Sequence, residues 1–197
     1  MKHAVVVAHP ALESFNLRMA QTYADTVRAL GHEVVIRDLY RMGFDPVLKA
    51  AEIPATGFCP EPDIAAERAL LADVDVYCLV YPLWFNAPPA MMKGYIERVF
   101  NMGFGFAPGA WGNEPMLDGK RLVSITSSGA PLHWVQDTGA WDAIQLLFDN
   151  HFAAVCGMTV LDHRHFGDIV HGITEESVED CANEVRTAVN TLFGDGR

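Results

Sequence analysis

Three short stretches of the chain hold the side chains best suited to grip a small ligand. The first is His9-Pro10-Ala11-Leu12-Glu13-Ser14-Phe15-Asn16, between an apolar run at 4–8 and a stretch of helical periodicity. The free N–H groups and positive dipole end of a helix starting there suit a phosphate. His9, Ser14 and Asn16 can add hydrogen bonds to it. The stretch is neither G-x-x-x-x-G-K-[ST] nor G-x-G-x-x-G, which excludes P-loop chemistry and the standard dinucleotide fingerprint. A plainer role is that Ser14 caps the helix and Asn16 completes a turn.

The second stretch is Pro82-Leu83-Trp84-Phe85-Asn86-Ala87-Pro88-Pro89. A planar apolar heterocycle needs such a wall, with backbone groups to read its polar edge. The prolines stiffen the loop and lower the ordering cost of binding. The competing role for Trp84 and Phe85 is to cover the core. The third stretch is Thr126-Ser127-Ser128-Gly129-Ala130-Pro131-Leu132-His133-Trp134. Small hydroxylated residues and a glycine let the backbone approach a flat ligand. His133 and Trp134 would then frame a second planar molecule stacked on the first. Alone, the segment also reads as a Gly-Pro turn.

The elements that must position these stretches alternate. Short apolar β-branched runs fall at 4–8, 34–36, 74–80, 122–126 and 158–161, separated by helical patterns at 15–30, 64–72, 88–100, 141–155 and 175–192. Gly31 closes the first helix and Thr174 with Ser177 opens the last. The span 40–63, with four prolines, reads as a long surface excursion, and 101–118 as a Gly-rich loop. This is an α/β pattern: a doubly wound five-stranded parallel sheet, strand order 2-1-3-4-5, with right-handed crossovers and a single domain over 1–197. Ligands of such sheets sit beyond the carboxyl ends of the strands. The three stretches follow strands one, three and four and converge on one rim.

Composition narrows the classes. The chain has 197 residues, half of them apolar, and a net charge of −11 from 14 basic and 25 acidic side chains. A chain this long buries roughly 70% of its unfolded surface, so it needs no disulfide or metal to hold together. The acidic surface argues against nucleic acid and anionic lipid as partners. Cys59, Cys78, Cys156 and Cys181 form no C-x-x-C pair, and Cys78 and Cys156 lie in apolar runs, which favours a reducing, cytoplasmic setting. The opening MKHAVVVAHP reads as neither a signal peptide nor a membrane span. Asp162-His163-Arg164-His165 with His171 reads as a polar strand end or a dimer surface and not as a metal site, since Arg164 repels a cation.

Pro82-Leu83-Trp84-Phe85, followed by Pro89-Ala90-Met91-Met92-Lys93-Gly94-Tyr95-Ile96-Glu97-Arg98-Val99-Phe100, resembles the NAD(P)H:quinone oxidoreductase (DT-diaphorase) family. His9-Pro10 with Ser14-Phe15-Asn16 resembles its phosphate loop, and Ser124-Ile125-Thr126-Ser127-Ser128-Gly129 its T-T-G-G loop. The resemblance implies a homodimeric flavodoxin-like enzyme that holds a flavin noncovalently and passes hydride from NAD(P)H to a quinone-like acceptor by a ping-pong cycle. It implies that His9, Ser14, Phe15 and Asn16 hold the phosphate and ribityl end. Pro82, Leu83, Trp84 and Phe85, with Thr126, Ser127, Ser128 and Gly129, would hold the isoalloxazine. FAD is favoured over FMN, because the excursion at 40–63 would cover an adenosine. Trp84, Phe85, His133 and Trp134 are the residues expected at the acceptor.

Two positions depart from the family. The aromatic pair is shifted one place toward the N-terminus, and Trp134 and Ala140 stand where the family has a tyrosine and a histidine. The family's acid–base pair is therefore not carried over, and His133 is the candidate substitute. Rival readings are an azo- or nitroreductase with the same cofactor, an ancillary regulatory flavoprotein of a potassium efflux system, and a binding module without flavin.

Overall fold

The computed structural model describes residues 1–53, 58–110 and 112–194. Its elements run β1 (Lys2–Val7), α1 (Phe15–Ala29), β2 (Glu33–Asp38), a 3-10 turn (Ala50–Glu52), α2 (Pro62–Leu71), β3 (Val76–Pro82) and α3 (Ala90–Val99). A hairpin follows, β4 (Phe106–Gly109) and β5 (Gly112–Pro115), then β6 (Arg121–Ser127), α4 (Leu132–Asp137) and α5 (Ala140–Ile144). A π-helical segment (Gln145–His151), α6 (Phe152–Cys156), β7 (Thr159–Phe166) and α7 (Glu175–Phe193) complete the chain.

The main sheet has the order β2-β1-β3-β6-β7, and every pair in it is parallel. With the hairpin strands set aside, this is the expected 2-1-3-4-5. Successive side chains of a strand point to opposite faces, so each inner strand feeds two cores. Val5 and Val7 of β1, with Cys78 and Val80 of β3, pack on Met19 and Tyr23 of α1 and Val185 and Val189 of α7. Ala4 and Val6, with Tyr77 and Leu79, pack on Leu71 of α2 and on Met92, Tyr95 and Val99 of α3. β3 is buried along its whole length, as its continuous apolar run requires.

The caps fall where the side chains dictate. Ser14 Oγ accepts from Leu17 N–H at 3.2 Å, and Thr174 Oγ1 accepts from Ser177 N–H at 3.1 Å. Gly31 leaves α1 with φ of 80°, a conformation that favours glycine.

Five expectations are corrected. The Gly-rich loop at 101–118 contains the β4–β5 hairpin. The segment before 141 contains α4. The helix expected over 141–155 is three pieces, with a π-helical middle. The last strand does not stop at residue 161 but runs to Phe166, because the alternating polar residues pair with β6 on one face. The excursion at 40–63 is shorter than expected, since Pro62 already begins α2, and it is pinned from below. Buried Glu52 accepts from Arg98 Nη2 at 2.8 Å, and Arg98 Nη1 donates to Asp63 Oδ2 at 3.0 Å. Its residues 54–57 lie outside the described residues.

Candidate functional site

The carboxyl ends of β1, β3 and β6 open on one cleft of about 520 Å³. His9, Ser14, Phe15 and Asn16 line it from the first loop, Pro82, Leu83 and Trp84 from the second, and Ser127, Ser128 and Gly129 from the third. The expected convergence is therefore present. Cross-ties hold the loops in place. Leu83 N–H donates to Ser127 C=O at 2.7 Å, and Ser127 Oγ donates to Asn16 Oδ1 at 3.1 Å.

The phosphate end has the chemistry an anion needs. Asn16 is buried, and its Nδ2 is, among the described residues, the buried side-chain polar atom with no hydrogen-bond partner. An orphaned buried donor costs about 1–3 kcal/mol, and a ligand oxygen in the cleft would remove that cost. Ser14 uses an acceptor lone pair for the cap and keeps its O–H for a ligand. Cap and phosphate contact are compatible roles. His9 Nδ1 accepts from Ala11 N–H at 3.2 Å, which leaves Nε2–H of the neutral ring as a donor. Burial and the Arg41 guanidinium lower the His9 pKa and favour that neutral form. Arg41 was not foreseen. Its guanidinium reaches from beyond β2 to donate to His9 C=O at 2.8 Å and Pro10 C=O at 3.3 Å, and also to Ala11 C=O. A positive charge thus sits on the loop itself, a contact across 32 residues that no local motif reveals.

The second loop departs from both readings of it. Trp84 is 45% exposed and Phe85 fully exposed, so neither covers the core. Trp84 lines the cleft beside His9, with ring centroids 6.1 Å apart, and Phe85 does not. Phe85 and Asn86 are the centre of a tight turn with φ of 51° and 53°. Trp84 N–H donates to Ala87 C=O at 3.1 Å across this turn and is not free for a ligand. The third loop divides as well. Thr126 is buried beneath the cleft, not in its wall, while His133 and Trp134 are exposed on α4 and do not line the cleft. In this protomer they do not frame a second planar molecule.

A fourth wall was missed. Ile169, Val170, His171 and Ile173, between β7 and α7, also line the cleft. Strand five ends at Phe166 and not at residue 161, so the loop after it, like those after strands one, three and four, opens on the rim. Among the described residues, no group of three or more His, Cys, Asp or Glu side chains is placed to hold a metal.

Comparison with known proteins agrees with this geometry. The family described as "Flavodoxin-like fold" matches residues 1–189. An uncharacterized NAD(P)H oxidoreductase of Haemophilus influenzae is 30% identical over 200 aligned positions, covering 98% of each chain. NAD(P)H dehydrogenase [quinone] 1 of Rattus norvegicus is 28% identical, over 85% of this chain and 69% of its own length. The NAD(P)H:quinone oxidoreductase of Methanothermobacter marburgensis superposes with a TM-score of 0.88 at 23% identity, covering 98% of this chain and 96% of that one. The chain belongs to the flavodoxin-like family, and its relatives there include proteins named as NAD(P)H oxidoreductases and NAD(P)H dehydrogenases [quinone].

Proposed function

We propose that the protein is a flavin-dependent NAD(P)H:quinone oxidoreductase, reducing quinone-like acceptors by two electrons in a ping-pong cycle. The observation that carries this reading is the convergence of three strand-end loops on one cleft, with an orphaned Asn16 amide at the start of α1. A flavin bound there would supply hydride chemistry, taking hydride from NAD(P)H and passing it to the acceptor. His9, Ser14, Phe15 and Asn16 would hold its phosphate and ribityl end, and Pro82, Leu83, Trp84, Ser127, Ser128 and Gly129 its ring system. Phe85 and Asn86 N–H, which make no backbone hydrogen bond, are the donors the second loop has left for charge on the reduced ring.

The finer parts of the reading rest on smaller observations. Arg41 beside the first loop favours a second phosphate, hence FAD over FMN. Trp84, Phe85, Leu132, Trp134, Leu146 and Leu147 are large apolar side chains left exposed, which suits a homodimer whose partner brings His133, Trp134 and Phe85 to the acceptor. Free cysteines throughout the described residues favour the cytoplasm, and no described helix is long and apolar enough to cross a membrane. The whole chain, 1–197, would act as one flavin-binding domain.

The test is spectroscopic. Purified protein is expected to be yellow, to bleach anaerobically with NADH or NADPH, and to recolour on adding a benzoquinone. Chromatography of the released chromophore then distinguishes FAD from FMN. Protein that stays colourless after incubation with both flavins overturns the reading. Faster recolouring with an azo dye than with any quinone overturns the acceptor class.

A further inference from the structure

Behind the cleft lies a buried chain of polar side chains that the site described above does not use. Ser124 and Thr126 of β6 stand opposite His163 and His165 of β7 in the parallel ladder. Asp149 reaches the same face from the π-helical segment. Ser124 Oγ donates to Asp149 Oδ1 at 2.7 Å, and Asp149 Oδ2 lies 2.5 Å from His163 Nδ1. His163 Nε2 lies 2.7 Å from Thr126 Oγ1, which lies 2.9 Å from His165 Nδ1. His165 Nε2 lies 3.0 Å from Ser128 Oγ, and Ser128 Oγ donates to Ala130 C=O at 2.9 Å. The Asp149 and His163 side chains are 2% and 1% exposed. The Trp141 ring covers both imidazoles, at 4.7 and 5.6 Å between centroids. At its outer end the chain reaches Ser128, which lines the cleft.

Counting donors and acceptors ties the number of protons this chain holds to the direction of the Ser128 hydroxyl. If Ser128 gives its single hydroxyl proton to Ala130, His165 Nε2 must carry a hydrogen. Either His165 Nδ1 then accepts from Thr126, which obliges His163 Nε2 to be a donor, or His165 carries two hydrogens and His163 one. His163 Nδ1 is a donor in both cases, because it faces a carboxylate. Both arrangements hold one proton more than two neutral imidazoles. They interconvert by moving protons along bonds already formed. Burial, and then repulsion from His163, lowers the His165 pKa to about 4, which keeps that ring neutral. Releasing the excess proton costs little geometry, since Ser128 O–H need only turn from Ala130 C=O to His165 Nε2.

We propose that Asp149, His163, Thr126, His165 and Ser128 form a one-proton reservoir and relay that opens into the cleft and protonates the reduced acceptor. This rests on reading the cleft as a site of two-electron quinone reduction. Hydride addition to a quinone supplies two electrons and one proton, and leaves an oxyanion that needs one proton more. The oxyanion takes it from Ser128 Oγ, Ser128 from His165 Nε2, His165 Nδ1 from Thr126 Oγ1, and Thr126 from His163 Nε2. His163 ends neutral and Asp149 stays a carboxylate. The next proton from solvent restores the start. The relay thus fills the place of the acid–base pair that Trp134 and Ala140 do not provide. Tyr81 of β3 also lies near Asp149, and its hydroxyl is kept protonated by burial and by the Asp149 charge. Asp162 and Arg164 pair with each other at 2.7 Å at the alternate positions of β7, on its other face.

Two measurements test this, one independent of turnover. In flavin-free protein, ¹⁵N imidazole spectra at neutral pH should show one doubly protonated ring, lost in Asp149→Asn. Two neutral rings overturn the reservoir. In stopped flow on the flavin-loaded protein, Thr126→Val should slow the acceptor-reducing half-reaction on the order of 100-fold, the usual worth of a positioned acid. The remaining rate should fall as pH rises, and Thr126→Ser should restore the wild-type profile. Reduction by NAD(P)H, which needs no relayed proton, should slow far less. Should Thr126→Val not fold, His163→Gln, remote from the cleft, makes the same cut. Equal slowing of both half-reactions, or an unchanged pH profile, overturns the relay. Wild-type flavin that NAD(P)H does not reduce overturns the function itself, and the imidazole spectra then report on the chain alone.

Discussion

Asn16 and Phe85 each carry a local cost to the fold that the proposed function would explain. The Asn16 carbonyl is held by Ser127, and its Nδ2 is left unpaired in a residue that lines the cleft. A hydrogen bond to a charged phosphate is worth about 1.5–3 kcal/mol. Asn16→Ala should therefore weaken flavin binding roughly 10- to 100-fold, read by fluorescence titration. An unchanged affinity would remove Asn16 from the site. Phe85 occupies the left-handed region at φ 51° while fully exposed, a conformation that costs an ordinary residue roughly 1–2 kcal/mol. Phe85→Asn should raise the unfolding free energy by about 1 kcal/mol and raise KM for the acceptor. Greater stability with the same KM would mean that the strained phenyl serves no acceptor.

At the scale of elements, Gly94 explains part of the Lys93-Gly94 signature. A Cβ there would come 2.1 Å from Pro46 C=O and 2.5 Å from Pro46 Cβ, so α3 can seat the excursion only through a glycine. Helix propensity alone would make Gly94→Ala stabilising by about 1 kcal/mol. The backbone clash costs about 1–3 kcal/mol and should win. The chemical-denaturation midpoint should fall; a rise would show that Pro46 is not seated on α3. The π-helical segment has a similar logic. Ile144 and Asp149, five residues apart, are both buried, and the wider π turn brings both to the sheet. A regular α-helix would carry Asp149 well away from Ser124 and His163.

For the molecule as a whole, His3 is a pH-dependent tie. It is buried at the amino end of the sheet, with Nδ1 2.9 Å from Tyr23 Oη of α1 and Nε2 3.0 Å from His32 Nδ1. The Phe193 ring of α7 packs edge-on against it. Burial, then the nearby His32 and the N-terminal amine, lower its pKa from 6.5 to about 4. Between these values the unfolded chain binds the proton and the native one does not, so acidification favours unfolding. His165, also lowered to about 4, acts in the same direction. The melting temperature should fall steadily from about pH 6.5 toward pH 4, with His3→Gln reducing the slope. A melting temperature constant over that range would contradict a buried neutral His3. Assembly is testable at the same scale. Light scattering should give a mass of two chains, and Leu147→Glu, at an exposed apolar position, should halve it. A monomeric wild type would leave His133 and Trp134 without a route to the acceptor.

Local sequence alone determined a good deal of this protein. Apolar runs located all five strands of the main sheet and most of the helices between them, and their alternation pointed to a doubly wound sheet. The residue types at the strand ends identified ten of the cleft's lining residues, because backbone turns and small side chains at those ends are local properties. What periodicity could not show were contacts made across the sheet. Arg41 on the phosphate loop, the fourth wall around His171, and the pairing of His163 with Thr126 and Asp149 depend on register between β6 and β7 and on one widened helical turn. Those are set by packing of distant segments, since a hydrogen bond between residues 37 apart leaves no mark on either neighbourhood in the chain. For the same reason Thr126, read as a wall of the site, proved to lie buried outside its lining, and two histidines read as a polar strand end proved to be its hydrogen-bond partners.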